Sequence, residues 1–511
     1  MAYKHSKSRQ INSSSQCLIW VVSALLCVPP VSWAQPAAVP TLGSPASAEL
    51  SPAVERRLGE AIMVQGRRDP EYINDPDLSQ YLNEMGRKIA AFAPGGAPQV
   101  DVFGVRNPIV NAFAMPGGFI GVQTGLIVLA GAESELAGVV AHEIAHVTQR
   151  HIARGLTQQT QGGHLALATL VAAILAAMIP GGGQAAMGIA AFGQAAMIDR
   201  QLGFSRDAEQ EADRTGVEML RKAGYDPNGM ALMFGRLMNA SSLNEGRGGG
   251  VYASTHPLSI QRMTDMQNRI RQYPANKSQA SDEFWFVRAK ARVLQALDPR
   301  ALRQALDQLE DEARAPVGAT DGADALARRV AAWYGVSLAA LARQDPAAAA
   351  TALQQAQSFK MQSPYLDLQK IDIDIANRQY ASALVAAQAG NKRWPTRRSF
   401  AMRVAQTLQG TNKDAEAATF LKAQIKRWSN EEPDFYKMLA ASQDRLGDPV
   451  AAKQSMAAYY ERVGALPAAV TQLQQARAQS QDFYVQSQID GQIRALTAKI
   501  LDDRRLLERF K

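Results

Sequence analysis

The stretch AHEIAHVTQRH, residues 141–151, holds His142, Glu143 and His146 in the order H-E-x-x-H. On an α-helix, residues four apart lie one turn apart on one face, so both imidazoles can reach a single ion. Zinc accepts neutral ring nitrogens, and a catalytic zinc site keeps one position open for water. Glu143, beside them, is placed to take a proton from that water as it attacks a carbonyl. The chain has six histidines and five of them fall between 142 and 256, so nitrogen ligands are concentrated around this motif.

A third ligand must come from elsewhere. The longer metalloprotease pattern needs glycine and histidine at the third and sixth positions after His146, where this chain has Gln149 and Ile152. The remaining source is a carboxylate on a later helix. SRDAEQEADRTGVEML, residues 205–220, offers Glu209 and Asp213, four apart on one face. Glu209 can complete a His-His-Glu set, and Asp213 can accept the outer N–H of a ligand histidine and fix its tautomer. Glu211 competes, but it points about 200° round the helix from Glu209 and lacks the Asp213 partner. His256 is the only histidine after Glu209. It could stabilise an oxyanion, occupy the open metal position and hold the site off, or serve as a structural residue. His151 and His164 read as solvated or packing residues.

Several elements must position these side chains. Helical patterns cover 53–65 and 77–92. VDVFGV (100–105) and the run 109–127, with a Pro116-Gly117-Gly118 turn, carry the β-branched and aromatic residues of strands, and the turn predicts a hairpin. The HExxH helix opens near Ser134 and runs past Gln149, with Leu136, Val139, Val140 and Val147 on its apolar face. An Ala-rich apolar stretch, 165–197, follows and is read as a helical hairpin packed over that helix, with a mobile apolar flap as the other reading. GRGGG at 246–250 marks a flexible loop just before His256.

From about Phe284 the composition shifts to Ala, Gln, Leu and Arg, with no histidine. Asp345-Pro346 and Asp448-Pro449 lie 103 residues apart, three periods of about 34, and similar helix-opening segments fall near 377–388 and 412–423. This helix-turn-helix period resembles tetratricopeptide repeats, with Trp333, Ala339, Ala349 and Ala356 near that family's tryptophan and small packing positions. The expected organisation is an export signal at 1–34, a flexible lead-in at 35–50, an α+β catalytic domain at 51–275 and an all-helical repeat domain at 284–511.

The N-terminal reading rests on Lys4, Lys7 and Arg9, the apolar run 17–28 and the small-x-small sequence Ser32-Trp33-Ala34. Both cysteines, Cys17 and Cys27, lie inside that run, so the processed chain would have no disulfide, and any metal it holds must use His, Asp or Glu. Removing the three basic residues takes the net charge from +8 to +5. The cations form no long run and do not alternate with aromatics, which argues against nucleic acid as a partner.

HExxH, then E-x-x-x-D within SRDAEQEADRTG, preceded by NAFAMPGG at 111–118, resembles the HtpX/CAAX-prenyl-endopeptidase family of zinc metallopeptidases. The resemblance implies a zincin-type (gluzincin) α+β fold with one zinc ion, His142, His146 and Glu209 as its ligands and Glu143 as general base. It also implies an edge strand near 111–115 that pairs with an extended substrate. With export and a C-terminal tetratricopeptide array, it further implies a periplasmic chaperone-protease. Its clients would be unfolded or misassembled outer-membrane proteins, and its repeats would dock the β-barrel assembly machinery. The membrane-embedded members carry firm transmembrane helices, and only the weak stretch 165–179 could serve here. A scaffold that no longer cleaves is the competing reading, and Glu143, which would bind no metal, argues against it.

Overall fold

The local chemistry of helix termini fixes the first elements. In a computed structural model describing residues 51–158, 204–243, 251–273, 281–316, 324–428 and 432–508, Ser51 caps α1 (Pro52–Gly66) by accepting from Val54 N–H. Asp75 caps α2 (Pro76–Ala90) by accepting from Leu78 N–H, and proline at the first helical position suits both starts. Leu78, Tyr81, Leu82, Met85 and Ile89 recur at helical spacing and bury one face of α2.

Three strands form a small sheet in the order β1-β3-β2, where β1 is Asp101–Val105, β2 is Ala112–Met115 and β3 is Phe119–Gln123. The expected hairpin is present: β2 and β3 pair antiparallel across the turn Pro116–Gly118, with Ala114 opposite Ile120. Gly117 adopts φ 78°, a left-handed conformation that favours glycine. β1 pairs with β3 in parallel, and the Asn83 side chain blocks its outer edge by bonding both Val102 N–H and C=O. Among the described residues, no strand pairs with the outer edge of β2.

After the short α3 (Thr124–Leu129) comes α4 (Glu133–Thr148), which carries the HExxH motif and is buried throughout Glu133–His146. It ends at Thr148 rather than beyond Gln149, because Arg150 takes a left-handed φ of 54°. α5 (His151–Gln158) turns back from there. α6 (Arg206–Lys222) and α7 (Asn228–Leu243) pack on α4. Gly216 of α6 lies against Ala141, where a Cβ would come within 3.3 Å of the Ala141 carbonyl. That close approach lets the first turns of α6 reach the histidines. α8 (Val251–Thr255) and α9 (Ile260–Ile270) complete the region.

The C-terminal region is helical hairpins. After α10 (Glu283–Leu294) and α11 (Pro299–Arg314), the pairs are α12/α13 (Ala325–Ala342, Pro346–Ser358), α14/α15 (Pro364–Ala376, Tyr380–Arg393), α16/α17 (Arg398–Gly410, Asp414–Trp428), α18/α19 (Asp434–Arg445, Pro449–Arg462) and α20/α21 (Leu466–Gln479, Phe483–Glu508). In four of these pairs the second helices begin at Pro346, Tyr380, Asp414 and Pro449, 34 to 35 residues apart, which is the period read in the sequence. Asp345 and Asp448 cap their helices, each with proline at the first helical position. Ala339, Ala349 and Ala356 are fully buried between neighbouring helices.

The hydrophobic core does not stop at the change of composition near 284. Leu82, Leu136 and Ile144 belong to the same buried cluster as Phe284, Phe286 and Tyr365. Lys290 of α10 pairs with Asp75 at 2.7 Å and Asp77 at 3.0 Å. The export signal, the lead-in, the apolar stretch 165–197, the loop 246–250 and His164 lie outside the described residues. No described helix is long and apolar enough to cross a membrane.

Candidate metal centre and its relatives

Four buried side chains converge where α4, α6 and the segment after α8 meet. One donor atom from each of His142, His146, Glu209 and His256 lies within 4.8 Å of all the others. The separations are close to the edges of a tetrahedron. His142 Nε2 is 3.0 Å from His146 Nε2 and 3.4 Å from His256 Nδ1. Glu209 Oε1 is 3.4 Å from His146 Nε2 and 3.0 Å from His256 Nδ1, and its Oε2 is 3.5 Å from His142 Nε2. Donors bound at about 2.0–2.1 Å around a tetrahedral ion would stand about 3.3 Å apart. The donor set therefore fits a metal ion.

The Glu209 and Asp213 carboxylates make the cluster favourable to a positive charge. Burial opposes ionisation of Glu209, yet His256, His142 and His146 hold its carboxyl well below the usual range. Burial would likewise depress His142, but hydrogen bonds with Asp213 and Glu209 overcome it and raise the ring to about 10. His146 lacks such a carboxylate on its outer nitrogen, and burial keeps it well below its ordinary value. Glu143 is fully buried, and burial pushes its carboxyl up. The Ala114 N–H of β2 lies close enough to lower it, without completing a well-aligned hydrogen bond to either oxygen. A buried carboxyl with spare acceptor capacity and a raised pKa is what a proton acceptor requires.

Residues 76–270 match peptidase family M48. The β-barrel assembly-enhancing protease of Escherichia coli (strain K12) is 32% identical over 68% of this chain and 68% of its own. The chain belongs to this metallopeptidase family. A relative from Vibrio cholerae is 35% identical over 54% of this chain and 56% of its own, and the β-barrel assembly-enhancing protease of Yersinia pestis is 33% identical over 53% and 55%. The chain thus spans a little over half the length of these two relatives.

Of the residues singled out from the sequence, His142, Glu143, His146, Glu209, Asp213 and His256 come together at this cluster. Asp213 Oδ1 is 3.1 Å from His142 Nδ1, the outer nitrogen. Glu211 turns away from the four donors and pairs with His151 and Arg154. Two residues were missed. His151, read as solvated or packing, is buried with its Nδ1 2.8 Å from His146 Nδ1. Arg262, also buried, contacts Glu209 Oε2 at 2.6 Å, Asp213 through two bonds of 2.7 and 2.8 Å, and the Pro257 carbonyl at 2.8 Å. Only the tertiary fold brings Arg262 to partners 49 and 53 residues earlier in the chain, so no local pattern announced it.

Aromatic rings close the surroundings. Phe204 lies over His146 with ring centroids 4.0 Å apart, and Tyr252 stacks on His256 at 4.7 Å. These contacts hold the two imidazoles in orientation without adding charge.

Proposed function

We propose that this metallopeptidase is a periplasmic zinc endopeptidase of gluzincin type, held closed at rest, that acts on outer-membrane β-barrel proteins that have failed to assemble. The observation carrying the reading is the convergence of four buried donors beside an unsatisfied Glu143. In this reading His142, His146 and Glu209 hold one zinc ion, and Asp213 and Arg262 orient them. Zinc, when bound, would supply a Lewis acid that polarises the scissile carbonyl and acidifies water. Glu143 takes the proton of the attacking water and delivers it to the leaving amine. The outer edge of β2, next to Glu143, supplies backbone groups for an extended substrate strand.

His256 is read as the resting fourth ligand. Its Nδ1 stands among the donors, and its Nε2 is 3.5 Å from Glu143 Oε1, so the imidazole fills the space that water and substrate would need. Its movement with the preceding segment would open the site. The oxyanion role remains as the reading of the open state.

The client class comes from the names of the relatives, which are β-barrel assembly-enhancing proteases. The hairpin array at 284–511 is taken as a tetratricopeptide-type solenoid that docks the assembly machinery, attached to a catalytic region at 51–275. The closed site also suits a chaperone that binds clients without cleaving them. Metal analysis tests the zinc reading: the purified chain should hold one zinc, and Glu209→Ala should lose most of it. A wild-type chain without zinc affinity would refute it.

A further inference from the structure

The two histidines of the HExxH motif are held from behind by different groups. His142 Nδ1 faces the Asp213 carboxylate, whereas His146 Nδ1 faces a second imidazole, that of His151, at 2.8 Å. The rings of His146 and His151 stand nearly perpendicular, 74° apart with centroids separated by 4.8 Å. His151 is almost completely buried, and its Nε2 is 3.2 Å from Glu211 Oε2. Arg154 Nη2 holds the same Glu211 oxygen at 2.9 Å.

This arrangement depends on a strained turn. Arg150 adopts φ 54°, a left-handed conformation that ends the helix there. Its guanidinium pairs with Glu55 of α1, with Nε 3.2 Å from Oε1. The turn ends α4 and reverses the chain so that His151, only five residues beyond His146, folds back onto it.

The proton positions admit one consistent assignment. If His146 Nε2 binds an ion, its proton must sit on Nδ1 and be donated to His151 Nδ1. His151 then carries its own proton on Nε2 and donates it to Glu211. We propose that His151 is a positioning residue for the metal ligand His146, fixing its tautomer and ring plane. This rests on the reading of His142, His146 and Glu209 as metal ligands. A neutral imidazole donates less negative charge than Asp213 does, so the pair holds both rings without placing a second carboxylate behind the ion.

The test is zinc affinity of the full chain, measured with zinc alone against a chromophoric chelator. His151→Leu keeps bulk but removes the acceptor, and its dissociation constant should rise by about 10- to 100-fold. His151→Asn places an amide oxygen near the former Nδ1 and should return to within about threefold of wild type. A purely structural role would not distinguish the two. Equal weakening in both, or a leucine variant within about threefold of wild type, overturns the proposal. Should the leucine variant not fold, Glu211→Ala decides: it sits on the half-exposed rim and removes the group that orients His151. Zinc binding weakened by that change upholds the proposal, and unchanged binding overturns it. A wild-type chain that binds no zinc would instead refute the underlying ligand assignment.

Discussion

At the scale of single residues, the site combines groups that one stretch of sequence displays with groups that only folding assembles. His142, Glu143 and His146 were legible because helical spacing alone fixes their geometry, and Glu209 with Asp213 were legible for the same reason. His256 could be singled out, but its place could not, since the short helix α8 and the turn after it set the distance. His256 also carries the clearest prediction. Replacing it with alanine removes the fourth donor and frees the space beside Glu143, so basal casein cleavage should rise. Cleavage that falls would assign it the oxyanion role, and unchanged cleavage would leave it structural. His151 was hidden for a physical reason. The reversal that carries it uses arginine rather than glycine or asparagine at the left-handed position, so no turn signal stood in the sequence.

At the scale of elements, helix starts were the most legible feature and strand partners the least. The hairpin followed from its Pro-Gly-Gly turn, but nothing in VDVFGV announced that β1 would pair in parallel with β3. The 34-residue period was readable because capping residues and small packing residues recur with it. The structure adds a second repeating feature that the sequence conceals. A left-handed residue precedes the second helix of four successive pairs, at Gln344 (φ 60°), Arg378 (φ 60°), Asn412 (φ 59°) and Gly447 (φ 77°). Glycine stands at only one of the four. Arg378→Gly should therefore relieve backbone strain and raise stability by about 0.5–1 kcal/mol, read from the urea midpoint. A lowered midpoint would show that the arginine side chain contributes more than its backbone costs.

At the scale of the whole molecule, the composition change near residue 284 suggested two separable bodies, yet one core runs across it. The far end of the array also returns to the catalytic region. Leu507 of α21 is buried with Leu58, Met63, Phe103, Phe113 and Phe119, and Arg57 bonds Asp503 with Nε at 3.1 Å. Phe113 belongs to β2, so the last helix buttresses the strand beside Glu143. A cleft of about 1050 Å³ lies between α1, β1 and the C-terminal helices, and Glu432 lines it. Burial raises the Glu432 carboxyl to about 7, with Asp434 and Asp77 reinforcing and Arg398 opposing. The folded chain thus keeps a proton that the unfolded chain releases at its ordinary value of 4.5. Stability on this account falls as pH rises from about 4.5 to 7, and the full cost, on the order of 3 kcal/mol, is present above that range. Glu432→Gln should stabilise the protein at pH 8 and do little at pH 4.5, measured by thermal unfolding at both values. Equal effects at the two pH values would contradict it.

The central claim is that Glu143 acts as proton acceptor beside a metal held by other residues. Glu143→Gln keeps the size of the side chain and removes that capacity. The decisive measurement is zinc content and casein cleavage on the same preparation, made in the His256→Ala background if the closed site masks wild-type activity. The account predicts one zinc per chain, as in the parent, with cleavage reduced by about 10²- to 10⁴-fold. Cleavage that survives in the zinc-loaded glutamine variant would contradict it.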